Sequence, residues 1–190
     1  MLEANSNIIN EVSDFLVKDS HWEKLSKINN NWADDPIFAN YHKLGNKQKG
    51  VLGEYFVQEY MKALKGSTVA DPTDTGHDRI IDGYKTEIKF SLANSTRNVI
   101  NINKFIINHV AIGKDWERLI FCGINPIDCG ADRVRMYYFT KEDFQDYMKN
   151  TPSPIFRHQQ SGAKGGNDDY ICVKFKEFVG LPFIKEINLW

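Results

Sequence analysis

Two acids and a lysine, Asp78, Glu87 and Lys89, flank the dipeptide Asp82-Gly83, a strong signal for a two-residue β-hairpin turn. Counting outward from that turn pairs Ile81 with Tyr84, Ile80 with Lys85, Arg79 with Thr86, and Asp78 with Glu87. Opposed residues of an antiparallel pair hold their Cβ atoms about 5 Å apart. Side chains recur on one face at every second residue, so Lys89 lies one step beyond Glu87 on the same face. The expected result is two carboxylates and an ammonium converging at the open end of a hairpin. Like charges set directly opposite each other are destabilising, and a divalent cation would remove that cost. Two neighbouring carboxylates suit Mg²⁺, which keeps several waters and shares its shell with phosphate. Such an ion acidifies water and stabilises charge on a phosphate and on its leaving oxygen. With Lys89 orienting the water or neutralising a phosphate oxygen, the chemistry implied is phosphodiester hydrolysis.

This pattern resembles the signature of the PD-(D/E)xK nuclease superfamily, an acid at the start of one strand followed by Glu/Asp-x-Lys on the next. Here these are Asp78 and Glu87-Ile88-Lys89, the latter the sole Glu/Asp-x-Lys triplet in the chain. His77 stands where the family name puts proline. The resemblance covers roughly residues 50 to 140. It implies an α/β fold with a restriction-endonuclease-like core, a mixed central sheet flanked by helices. It implies Mg²⁺, with Mn²⁺ as a substitute, held by Asp78, Glu87 and the main-chain carbonyl of Ile88. It also implies a helix ahead of the hairpin that carries a further metal-assisting glutamate.

A helix is expected there on independent grounds. Apolar residues at Leu52, Phe56, Val57, Tyr60, Met61 and Leu64 have helical spacing, and Gly66 follows as a stop. Glu54 falls beside Val57 and Met61 at the edge of the apolar face, where it would look into a site. Glu59 borders Leu52 and Tyr55, so spacing does not choose between the two acids, and either can instead be a surface acid paired with Lys62 or Lys65.

The chain has 190 residues, 42% of them hydrophobic and 13% aromatic, enough for one domain with a real core. Within it, residues 1–45 read as a helical N-terminal extension, 50–140 as the catalytic core, and 150–190 as a DNA-recognition segment with C-terminal strands. No apolar run approaches the ~20 residues that span a bilayer, and the N-terminus lacks a signal-peptide pattern. Cys122, Cys129 and Cys172 form no Cys-x-x-Cys pair and read as reduced thiols, which with the absent signal places the protein in the cytoplasm. The net charge of −1 is not that of a simple basic nucleic-acid binder. Basic residues do cluster, at Lys43, Lys47 and Lys49 and again between Arg157 and Lys176.

Along the chain, residues 1 to about 32 have helical periodicity. A strand-like Ser67–Ala70 precedes a loop that contains Asp71 and Asp74, the latter an Asx turn or a stand-in ligand. After the hairpin, residues 91–98 read as a polar loop near the site, with Asn94 and Arg97 available to DNA. Residues 103–112 read as a helix packed on the sheet. Arg118–Ile124 and Arg133–Phe139 read as buried strands, and Thr140 opens a helix with a capping-box-like start. The segment 152–167 mixes glycines with side chains suited to base edges: Arg157, His158, Gln159, Gln160, Lys164 and Asn167. Its bland alternative is a surface loop before a strand at Tyr170–Phe175.

The leading function is a Mg²⁺-dependent endonuclease of double-stranded DNA that resembles Type II restriction enzymes. Those act as two-fold dimers on matched half-sites, which implies a homodimer and a cognate DNA methyltransferase in the same system. A structure-selective nuclease of repair or recombination, similar to a junction resolvase, is the second reading. The third is a non-catalytic DNA-binding module of the same fold. No phosphate-loop or dinucleotide glycine pattern supports another cofactor.

Overall fold

The computed structural model describes residues 32, 35–93, 95–96, 99–100, 102–127, 129–158, 169–172 and 175–187, with side chains except at 95–100, 157–158, 169–172 and 175–176. Expectations for residues 1–31, Asn94, Arg97, Gln159, Gln160, Lys164 and Asn167 lie outside the described residues. In chain order the elements begin with α1 (Asn46–Lys65), β1 (Val69–Ala70), β2 (Arg79–Ile81), β3 (Tyr84–Leu92), β4 (Ser95–Thr96), β5 (Val99–Ile100) and β6 (Ile107–Ala111). They continue with β7 (Arg118–Ile124), β8 (Val134–Thr140), α2 (Lys141–Asn150), β9 (Phe156–His158), β10 (Asp169–Cys172), α3 (Phe175–Val179) and β11 (Lys185–Glu186).

The chain divides into two compact units, residues 1–43 with 95–100, and residues 44–94 with 101–190. In the first, Asp35 Oδ1 accepts the backbone N–H groups of Ile37 and Phe38 at 3.0 and 2.9 Å, closing the turn around Pro36. Trp32 meets the Phe38 ring edge-on. The second unit holds a mixed α/β arrangement built on a six-stranded sheet in the order β1-β2-β3-β7-β8-β11. Strands β3 and β7 run parallel, and the other neighbours are antiparallel. A separate antiparallel sheet has the order β6-β10-β9.

Helix α1 forms where the spacing predicts it. Gly66 ends it in the left-handed region at φ 62°, donating its N–H to Lys62 O at 3.2 Å. Its buried residues, Gly53, Val57 and Met61, recur every fourth position and make one stripe. The stripe lies directly on β3, because a Cβ on Gly53 would come 2.4 Å from Phe90 Cβ.

The hairpin turn is the one expected. Asp82 and Gly83 both have positive φ, 52° and 84°, as a type I′ turn demands. Its register pairs Ile81 with Tyr84, Ile80 with Lys85 and Arg79 with Thr86. The fourth counted pair, Asp78 with Glu87, does not form. The N–H of Asp78 donates to Thr86 O at 3.0 Å, so Asp78 and Arg79 both face Thr86, the two-against-one count of a β-bulge.

The other face of the sheet carries the aromatic core. Alternation along β7 and β8 directs Leu119, Phe121, Tyr137 and Phe139 to one side. There Phe139 meets Phe144 of α2, Phe156 of β9 and Phe178 of α3 at centroid distances of 5.5, 6.3 and 6.1 Å. Such ring pairs add about 0.5–1.5 kcal/mol each beyond the area they bury. Thr140 caps α2 as expected, its Oγ1 accepting from Asp143 N at 3.1 Å.

Three expectations are corrected. Residues 103–112 are not a helix: Ile107–Ala111 is strand β6, with Ile107 and Val110 buried and paired to Cys172 and Tyr170. Its β-branched residues favour an extended chain that packs on a neighbouring strand. Residues 91–98 are not simply a loop, since β3 continues to Leu92 and β4 and β5 pair as a short hairpin. The strand expected at 170–175 ends at Cys172, and Phe175 opens α3, which seats Phe178 in the core.

Candidate active site

Asp78 precedes β2 beside the bulge, and its Oδ2 accepts the backbone N–H of Ile88 at 2.7 Å. That bond fixes the carboxylate against β3. N–H and C=O of one residue in an extended strand point to the same side, so the Ile88 carbonyl also faces the Asp78 side. Glu87 is 1% exposed and therefore needs compensation for its charge. It receives two ammonium groups: Lys89 Nζ lies 2.8 Å from Oε1, and Lys114 Nζ lies 3.2 and 3.4 Å from the two oxygens. Burial and the charge of Glu87 hold Asp78 above the ordinary carboxylate range, against the Ile88 N–H, Lys89 and Lys114, which pull it down. Asp78, Glu87, Lys89 and Lys114 are thus one electrostatic group, with two negative charges set against two positive ones.

Glu54 stands at the border of this group. Its Oε2 accepts from Arg79 NH1 at 3.0 Å. Burial, then Asp78, raises its pKa, Arg79 opposes this, and Glu87 adds a smaller upward push. Glu59, the other acid that helical spacing allowed, is turned to solvent and pairs with Lys62 at 3.1 Å. Glu54 is therefore the helix acid within electrostatic reach of the pair. It is held by Arg79, which also donates to Gln58 Oε1 at 2.8 Å and lies over the Tyr55 ring.

Lys114 and Arg79 are the residues that sequence reasoning missed. Lys114 comes from the turn between β6 and β7, which is pinned on both sides. Trp116 Nε1 donates to Ala111 O at 2.7 Å, and Lys141 Nζ donates to Lys114 O at 2.6 Å. A lysine beside Gly113 carries no local signal, and its meeting with Glu87 depends on the parallel β3–β7 pairing. Arg79 had a signal, because it lies next to Asp78 and opposite buried Thr86.

His77, in the place of the family's proline, is buried with Nδ1 3.3 Å from Asp74 Oδ1. Asp74 makes the expected Asx turn, its Oδ1 accepting Gly76 N–H at 2.7 Å. Lys47 is exposed on the first turn of α1, about two turns ahead of Glu54, and Lys49 lies beside it on that turn. Arg157 and His158 have backbones in β9, paired with Ile171 and Tyr170. Among the described residues, no three His, Cys, Asp or Glu side chains gather as a metal-ligand cluster.

A two-carboxylate site nevertheless fits Mg²⁺. The donors are hard oxygens, and a divalent cation would offset both the burial and, after it, the Glu87 charge that raise Asp78. Water and phosphate complete the shell of that ion elsewhere, so a third side chain is not required. Among the described residues, no helix is long and apolar enough to cross a membrane. Compared with known proteins, the chain matches no family model and no curated protein.

Proposed function

We propose that this protein is a Mg²⁺-dependent endonuclease that hydrolyses phosphodiester bonds in duplex DNA, in the manner of a Type II restriction enzyme. The observation that carries the reading is the group of buried Glu87 with half-buried Asp78 and Lys89, in which two carboxylates act on each other beside ammonium groups. Asp78 and Glu87, with the Ile88 carbonyl, would hold the ion, and Glu54 would assist from the border. When bound, Mg²⁺ supplies charge stabilisation to the phosphate and acidifies water.

The chain's own residues then have distinct tasks. The Ile88 N–H fixes the Asp78 carboxylate in place. Lys89, 18% exposed, is near enough to Glu87 to orient a water against phosphorus and to stabilise charge on a phosphate oxygen. Lys114, on the more open side, adds a second positive charge toward an incoming phosphate. The four groups sum to zero charge, so a divalent cation and one phosphodiester together bring in a single net positive charge. A homodimer would present two such sites to the two strands.

The test is incubation of the purified protein with unmethylated phage DNA, with Mg²⁺ or with EDTA, followed by gel electrophoresis. Discrete bands that require Mg²⁺ are expected. A smear would make the nuclease nonspecific. Intact linear DNA together with cleavage of a four-way junction would move the assignment to a structure-selective enzyme. Intact DNA of every form would overturn the catalytic reading.

A further inference from the structure

A cavity of about 670 Å³ opens where the first residues of β3 and β7 meet the last residues of β8 and the start of α2. Cavities of that size accommodate a small organic ligand. Three cation and aromatic pairs line it. Arg118 lies 4.9 Å from the centre of the Tyr84 ring, Lys141 5.6 Å from that of Trp116, and Lys185 5.7 Å from that of Tyr138. None of the three cations has a carboxylate within ion-pair distance among the described residues.

Arg118 is the informative one. It is half-buried, and burial lowers its pKa, so the surroundings penalise its charge. Its Nε donates to Thr86 Oγ1 at 3.2 Å and its NH2 to Ile81 O at 2.7 Å. Both partners are neutral, and NH1 is left over. A half-buried guanidinium with two neutral hydrogen-bond partners, and with Asp82 and Glu117 acting on it only from beyond ion-pair distance, can take an anion. Two carboxylates reach the lining, Glu117 and Glu142. Glu117 is occupied with the backbone N–H of Lys85 at 2.8 Å.

We infer that this cavity binds a nucleotide, its base against the exposed Tyr84 ring and the half-exposed Tyr138 ring, and its phosphate on Arg118 with Lys185 and Lys141. A bare inorganic anion would use the cations and leave the Tyr84 and Tyr138 rings without a ligand, while Trp116 is buried against Phe139. A base gives the two accessible rings a π-face to stack on, and such stacking tolerates any sequence. The nucleotide can be free, or it can be an unpaired nucleotide of a strand, since both offer the same chemistry. The site is independent of the nuclease reading, because Thr86 and Arg118 share a register position on the face of β3 opposite Glu87 and Lys89.

The experiment titrates the whole protein, in EDTA so that nothing is cleaved, with a fluorescent thymidine oligonucleotide, its duplex, and unlabelled thymidine monophosphate as competitor. Arg118 is left intact because it ties β2, β3 and β7 together. The variants are Tyr84→Ala and Lys185→Ala, both at exposed positions, with the surface change Lys62→Ala as control. Removing a stacking face should weaken single-strand binding about fivefold or more, Lys185→Ala should weaken it further at low salt than at high salt, and the control should bind as wild type. An oligonucleotide that binds well above the monophosphate identifies a strand as the ligand; equal affinities identify a free nucleotide. The inference fails if wild type binds neither the single strand nor the monophosphate, if it binds the duplex alone, or if both variants bind like the control.

Discussion

The acidic group around Glu87 and the cationic cavity around Arg118 lie on opposite faces of the same two strands. Thr86 and Glu87 are neighbours on β3, and their register partners on β7 are Arg118 and Leu119. One step along a strand turns a side chain to the other face. That step separates a buried carboxylate held by two lysines from a half-buried guanidinium with no carboxylate at ion-pair distance among the described residues. The first sets two carboxylates against two ammonium groups, and burial, then Glu87, still pushes Asp78 upward despite both lysines. The second holds a guanidinium that Asp82 and Glu117 reach only from beyond ion-pair distance. A cation is the natural occupant of one, and an anion of the other.

The most severe way to break that contrast is to remove the acids or the ammonium. Asp78→Asn and Lys89→Ala should each lower cleavage by more than about a hundredfold, beyond the usual cost of outer-shell changes at metal sites. Circular dichroism and oligonucleotide affinity at the cavity should stay as in wild type. Cleavage at the wild-type rate by the Asp78 variant would remove the acid pair from any catalytic role.

The contrast was only half legible from the chain itself. The Asp82-Gly83 turn was readable because positive φ at two successive residues needs special residues, and from it three of the hairpin pairs followed. Helix α1 was readable from one apolar stripe and one glycine stop, β7 from an apolar run, and β8 from an apolar and aromatic run broken only by Arg135. Glu87 and Lys89 therefore came together on paper as they do in the fold. The bulge at Asp78 was not readable, because an extra residue in a ladder leaves no mark in local composition. Strand β6 was misread since its short apolar pattern suits a helix as well as a strand, and its partner β10 lies far along the chain. For the same reason Lys114 was invisible: it meets Glu87 across 27 residues, through a parallel pairing that no local pattern encodes. The cavity's cations come from β7, α2 and β11, so that site has no sequence signature at all.

Gly53→Ala sharpens the comparison from the side of α1. The added methyl collides with Phe90, and overpacking of this kind costs about 1–3 kcal/mol. Helix propensity gives back up to about 1 kcal/mol, so urea denaturation should show net destabilisation. The shift of α1 should disturb the Glu54–Arg79 pair and reduce cleavage. Tyr84 lies six residues along β3 from Phe90, roughly 20 Å at strand spacing, so the cavity should keep its affinity. Loss of both together would show that the two sites are not separable.

Lys114→Ala tests whether the second ammonium belongs to the acid site. It competes with a cation for both oxygens of Glu87. Calorimetry without DNA should show tighter Mg²⁺ binding in the variant, while cleavage falls about tenfold, as when a supporting partner of a metal site is lost. Unchanged metal affinity would reduce Lys114 to a surface lysine.

The smallest effect is one of sign. Burial, followed by Glu87, sets the Asp78 pKa above its unfolded value. A carboxyl raised on folding binds protons more tightly in the folded state, so it costs stability as pH rises from its unfolded pKa through its folded one. Asp78→Asn removes that cost, and the amide oxygen still accepts the Ile88 N–H. In EDTA at neutral pH the variant should melt above wild type, and the gap should close as pH falls below the carboxylate range. Mg²⁺ at neutral pH should reverse the order, because an ion that binds only the folded wild type stabilises it by mass action. A gap that is the same at neutral and acid pH would mean that burial and Glu87 do not raise the Asp78 carboxyl on this face of the sheet.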